Sequence, residues 1–210
     1  MTTTVKARVI RRMVRQFGNP RGIPGQLVGW ILAHRSSNVQ RNRWVVGVLD
    51  LRPTDRVLEV GFGPGIAIAA LAKATPRGHV YGIDHSAVMV AQAGRRNRAA
   101  IRAGRVSLIH APVDRLPSFG EPLDAILAVN SAQFWPDPAD RLLDLRHLLR
   151  PGGRIALTLQ PRVPGATAEH TARAARDNEA LLTQAGFVQS RVEILDLDPP
   201  VAAVLATNPG

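Results

Sequence analysis

The chain has no cysteine, only two lysines (Lys6 and Lys73) and nine aromatic residues in 210. Without cysteine there is no disulfide, no thiolate metal ligand and no thiol nucleophile. No stretch approaches the roughly 18–20 consecutive apolar residues that a membrane-spanning helix needs. No Gly-Lys-Ser/Thr follows any of the glycine turns, which excludes a Walker loop closing on a triphosphate. What remains is 45% apolar and long enough for one domain with a real core and a terminal extension. Such a composition suits a cytoplasmic enzyme.

Acids are scarce at the start of the chain. Residues 1–50 carry nine cations against Asp50 alone, whereas the other 160 residues carry 18 against 15. Basic segments favour anionic partners, although an arginine-rich coding bias produces the same excess. Val5, Val9, Met13 and Phe17 recur every four residues, widened by Ile10 and Val14, with arginines between them. That is an amphipathic basic helix. Three readings fit: packing against the domain as a lid, peripheral contact of residues 5–17 with an anionic membrane, or a transit peptide. Gly18–Gly25 interrupts it, and helical stretches at 26–35 and 38–49 lead to Pro53. Residues 1–52 therefore read as a basic helical cap and 53–210 as the main domain.

The main domain opens on Arg56-Val57-Leu58-Glu59-Val60-Gly61-Phe62-Gly63-Pro64-Gly65. An apolar run ending in an acid, a turn with glycine at alternate positions and a breaker-free helix over 66–74 make the first strand, turn and helix of a doubly wound sheet. The third glycine comes one residue earlier than in a dinucleotide fingerprint, which favours a ligand without a pyrophosphate. Strands follow at 79–84, 105–110, 123–129 and 154–160, with helices at 86–103, 138–149 and 167–185. Two strands at 187–197 and 201–207, with no helix between them, form a terminal hairpin. The fold class is therefore α/β: a Rossmann-like, seven-stranded, doubly wound sheet with an antiparallel hairpin at its end and an N-terminal helical cap.

From about Pro53 to Thr207 the chain resembles the class I S-adenosylmethionine-dependent methyltransferases, in the style of small bacterial enzymes acting on small molecules. The resemblance rests on the glycine stretch, on Gly82-Ile83-Asp84-His85-Ser86, on Asp124–Asn130 and on Leu149-Arg150-Pro151-Gly152-Gly153-Arg154. It implies S-adenosylmethionine as cofactor. Asp84, at the end of the second strand, is then placed to accept hydrogen bonds from the ribose hydroxyls, with His85 lining the cofactor. Glu59 would orient the glycine turn or reach the amino acid end, while Gly61, Phe62, Gly63 and Gly65 close on that end. Asn130 would meet the methionine portion. The chain departs from the family after strand three, where Pro112 stands in place of an adenine-binding acid. Asp114 would substitute, or the Val113 backbone and packing would hold the ring.

Methyl transfer needs alignment and exclusion of water, and a general base only for a protonated acceptor. His34 is the candidate base. Trp30, Gln133 and Trp135, with Phe17, Trp44 and Phe134 nearby, would wall the acceptor or hold the cap in place. The expected reaction is transfer of a methyl group to oxygen or nitrogen of a small, apolar or planar molecule. Alternatives are a lipid-headgroup methyltransferase on an anionic membrane and a cofactor-binding module without turnover. A nucleic acid partner and a metal are not expected: Asn130-Ser131-Ala132-Gln133-Phe134 lacks the Pro-Pro-aromatic signature of base-amine methyltransferases.

Overall fold

The computed structural model describes residues 36–210. The stretches 5–17 and 26–35, and with them Trp30 and His34, lie outside the described residues. In chain order the elements are α1 (Ser36–Val48), β1 (Arg56–Val60), α2 (Ile66–Ala74), β2 (His79–Asp84), α3 (Ala87–Arg96), α4 (Arg98–Arg102), β3 (Val106–His110) and β4 (Leu123–Val129). A single 3-10 turn at Ala132–Phe134 precedes α5 (Pro138–Leu148), β5 (Leu149–Leu159), α6 (Ala168–Gln184), β6 (Val188–Leu195) and β7 (Val201–Thr207).

The seven strands form one sheet in the order β3-β2-β1-β4-β5-β7-β6. The first five are mutually parallel, and β7 runs antiparallel to both β5 and β6. Central parallel strands are covered on both faces, so their sequences are apolar without alternation. Val57, Val80, Ala125, Leu127 and Ala156 face α1, α2 and α3, while Leu58, Val60, Ile126, Ala128 and Leu157 face α5 and α6. The order reverses between β1's neighbours β2 and β4, and in such sheets ligands bind beyond the carboxyl ends of the strands at that switch.

Three boundaries differ from the sequence reading. The helix expected over 86–103 is two helices, because Asn97 ends α3 and starts α4. Its side-chain amide donates to the carbonyls of Ala93 and Gly65, both at 3.0 Å, tying the junction of the two helices to the start of α2. The turn expected before strand five is an irregularity within it: Leu149 pairs with Leu123 and Arg154 with Ala125, so the four residues 150–153 stand opposite Asp124 alone. Finally, α1 is built into the sheet's core. Val45, Val46 and Leu49 are buried beside α2, each contributing about 1.5–3 kcal/mol of apolar burial. Residues 45–49, grouped with the cap by sequence, are thus packed with the sheet.

Candidate functional site

Two acids and a glycine turn meet at the carboxyl ends of β1 and β2. The Gly61 N–H donates to the Ile83 carbonyl at 2.8 Å, pinning the turn to β2. Gly63 and Gly65 both have left-handed backbones, at φ +53° and +75°. A Cβ on Gly65 would lie 2.6 Å from the Ala93 Cβ, so this glycine lets α3 press against the start of α2. At Gly63 a Cβ would meet nothing within 4 Å. Gly65 is needed for packing against protein; Gly63 turns its bare face outward, as a close-approaching ligand requires.

Asp84 stitches this turn to β2. Its two carboxylate oxygens accept the N–H of Gly63 and the N–H of Ser86, each at 2.8 Å. Burial pushes its pKa up, against the opposing pull of the Ser86 and Gly63 N–H groups and of nearby His85 and His110. Glu59 lies deeper and is 1% exposed. The N–H of Ile68, in the first turn of α2, bonds its carboxyl group, while Oε2 has no partner. Burial, then the charge of Asp84, raises its pKa well above the ordinary glutamate range. Glu59 therefore braces the helix that follows the turn.

These features fit a ligand without a phosphate: an aspartate bound to the turn backbone, with a second carboxyl group buried behind it, is a poor seat for an anion. Residues 57–153 match the family model described as a methyltransferase domain. An uncharacterized methyltransferase of Bacillus subtilis, YdaC, is 30% identical over 176 residues, covering 84% of this chain and 94% of the relative. The chain belongs to the class I S-adenosylmethionine-dependent methyltransferases. A second relative, a ubiquinone/menaquinone biosynthesis C-methyltransferase from Geotalea daltonii, is 28% identical over 116 residues, 55% of this chain and 49% of its own. Among solved structures, a SAM-dependent methyltransferase from Aquifex aeolicus superimposes with a TM-score of 0.67 at 21% identity, covering 82% of this chain and 93% of that one.

The other candidate side chains of this methyltransferase divide between core and surface. The Phe62 ring is 3% exposed and fills the core above Gly82, where a Cβ would come within 2.7 Å of it. Only its backbone belongs to the turn. Val113 is likewise a core residue, and Trp135 packs half-buried against the same cluster. Pro112 is exposed, its carbonyl accepting the Arg115 N–H. Asp114 and Gln133 are exposed as well. His85 is exposed beside Asp84, its Nδ1 3.9 Å from Oδ1, and its carbonyl takes a hydrogen bond from His110 Nε2.

Asn130 is engaged with the protein itself. Its amide nitrogen donates to the Gln160 carbonyl and its amide oxygen accepts the Gln160 N–H, at 3.0 and 2.9 Å. The side chain ties β4 to β5, using one of its two N–H donors and one lone pair of its oxygen. Four residues that sequence reasoning missed complete this edge. The Ser131 hydroxyl donates to the Val60 carbonyl at 2.6 Å, joining the tips of β4 and β1. The Gln160 side chain accepts from Arg41 Nη1 at 2.7 Å and donates to the Pro199 carbonyl at 2.9 Å. Arg41 also donates to Asn38, and all three residues are buried. A lone glutamine ending an apolar strand was the one available signal.

Proposed function

We propose that the chain transfers a methyl group from S-adenosylmethionine to oxygen or nitrogen of a small, apolar or planar acceptor. The observation carrying this reading is the outward-facing Gly63 between the braced Gly61 and Gly65, held by Asp84 above the buried Glu59. In it, Asp84 holds the ribose diol through the lone pairs left after its two backbone bonds, and the turn backbone closes on the amino acid end. Asp84 carries the negative charge that faces the ligand's positive one, and Glu59 lies buried behind it. The cofactor supplies a methyl group already attached to a good leaving group. The chain's part is alignment and exclusion of water. Among the described residues, the side chains at the tips of β4 and β5 are amides, a hydroxyl and a guanidinium, none of which titrates near neutrality. An acceptor already ionised near neutrality, such as a carboxylate, suits that setting; a phenol, with a pKa of about 10, would require a base such as His34.

A second reading, transfer to carbon, is favoured by the partial likeness to the ubiquinone/menaquinone C-methyltransferase. Profiling with labelled cofactor across phenols, hydroxyquinolones, fatty acids and lipid headgroups, with the label's position read in the product, separates the two. Calorimetry with adenosylhomocysteine tests the cofactor site. Asp84→Ala is expected to weaken binding by about 1–3 kcal/mol, the range for hydrogen bonds to a charged group. Uptake of NADH with no heat from adenosylhomocysteine would overturn the reading.

A further inference from the structure

Between α2 and the α3–α4 pair runs an open groove of about 570 Å³. Its floor is small, made of Ala69, Ala72, Ala99 and Ala100, and Lys73, Arg96 and Arg105 stand along it. Arg77, Arg95, Arg98 and Arg102 lie in the same turns and helices and are exposed. Residues 51–105 contain nine cations and three acids, and all three acids (Asp55, Glu59 and Asp84) are buried. The surface formed by this part of the chain is therefore cationic without an opposing charge of its own. Among the described residues none of these seven cations takes part in an ion pair.

Helix chemistry accounts for only part of this. Lys73, Arg95 and Arg96 sit in the last turns of α2 and α3, where cations complement the helix dipole. Arg98 opens α4, the unfavourable end for a cation, and has Arg102 four residues on, a repulsive spacing. A concave cationic surface matches closely spaced phosphates. It does not match a lipid surface as well, because among the described residues the exposed large apolar side chains (Phe134, Leu143, Val163, Val188, Val192 and Ile194) are all on other elements. No aromatic residue lines the groove, so bases would not be stacked on it.

We propose that this groove is a docking surface for the phosphate backbone of a nucleic acid duplex, separate from the glycine turn and independent of which acceptor is methylated. The contact is backbone-directed and insensitive to base sequence.

The test is binding of fluorescent RNA and DNA duplexes of about 20 base pairs to the full chain across a salt series, where each phosphate contact contributes about 0.9 to the log–log slope. The triple variant Lys73→Glu, Arg96→Glu, Arg102→Glu is expected to weaken binding at least tenfold and to flatten the slope by about three. Arg105 is left in place because it holds the Ala72 carbonyl, and Asn97 because it holds Gly65. Unchanged melting temperature and adenosylhomocysteine affinity show that the variant is folded. A wild-type measurement removes dependence on the variant: since Lys73 is one of two lysines, duplex should slow its acylation, read by mass spectrometry. Absence of duplex binding, equal Lys73 labelling with and without duplex, loss of binding only on Arg11→Glu/Arg12→Glu, or groove-dependent binding to phosphatidylglycerol vesicles alone would each overturn the proposal.

Discussion

The tips of β1 and β2 and the tips of β4 and β5 lie side by side at the same edge of the sheet, yet they are built on opposite plans. At β1 and β2 the protein's polar side chains hold backbone and leave a face open: Asp84 holds the turn, Glu59 the helix behind it, and Gly63 shows no side chain. At β4 and β5 the side chains close on one another. Asn130, Gln160, Arg41 and Asn38 form a buried chain of hydrogen bonds linking β4, β5, α1 and the turn before β7. In the function proposed above, the first plan serves a ligand that is the same throughout the family, and the second sets the shape of a wall.

Substitution in the turn should separate its glycines most sharply. At Gly65 a methyl group would collide with Ala93 at 2.6 Å and with the Asn97 amide at 2.7 Å. Overpacking together with the left-handed backbone puts the cost of Gly65→Ala at about 2–5 kcal/mol of stability. Gly63→Val carries mainly the backbone cost, about 1–2 kcal/mol, while its side chain occupies the ligand's approach. Urea denaturation and adenosylhomocysteine calorimetry on both variants check this. Gly63→Val should stay folded and lose binding, and a variant that keeps wild-type affinity would mean that Gly63 does not face the ligand.

The opposite result is expected at the other pair of tips. Gln160→Ala removes an acceptor from the buried Arg41 and a donor from the Pro199 carbonyl. Leaving such groups unsatisfied costs about 1–3 kcal/mol. Cofactor affinity should hold, since no bond of Gln160 reaches β1 or β2, whereas the pattern of accepted substrates should broaden as the wall loosens. A fall in adenosylhomocysteine affinity as large as that of Asp84→Ala would show that the two plans are not separate.

How far each plan could be read in advance follows from distance along the chain. The glycine turn and its acid occupy ten consecutive residues, and Asp84 falls at the end of a strand that hydrophobic patterning already marks. Sheet, hairpin and cofactor class were legible for that reason. Arg41 and Gln160 are 119 residues apart, and Asn130 and Gln160 are 30 apart. Nothing local distinguishes an asparagine that meets a ligand from one that meets a neighbouring strand. Phe62 misled for a related cause: its position in the turn is local, but the space its ring fills is made by Gly82 on another strand.

The smallest effect concerns Glu59, and its sign follows from burial. A carboxyl group whose pKa is raised in the folded state favours folding fully below its unfolded value, near 4.5, and loses that contribution as pH rises through the folded value. At neutral and alkaline pH the native protein thus bears the cost either of an ionised, half-satisfied buried carboxylate or of holding a proton that the unfolded chain would release. Glutamine keeps the oxygen that accepts from Ile68 and cannot ionise. Glu59→Gln should therefore be more stable than the parent by about 1 kcal/mol at pH 8, with the gain shrinking as pH falls toward 4.5. Urea midpoints across that range measure it. A gain that grew on acidification would mean that the carboxylate is stabilised in place, and Glu59 would then share with Asp84 the charge beneath the turn.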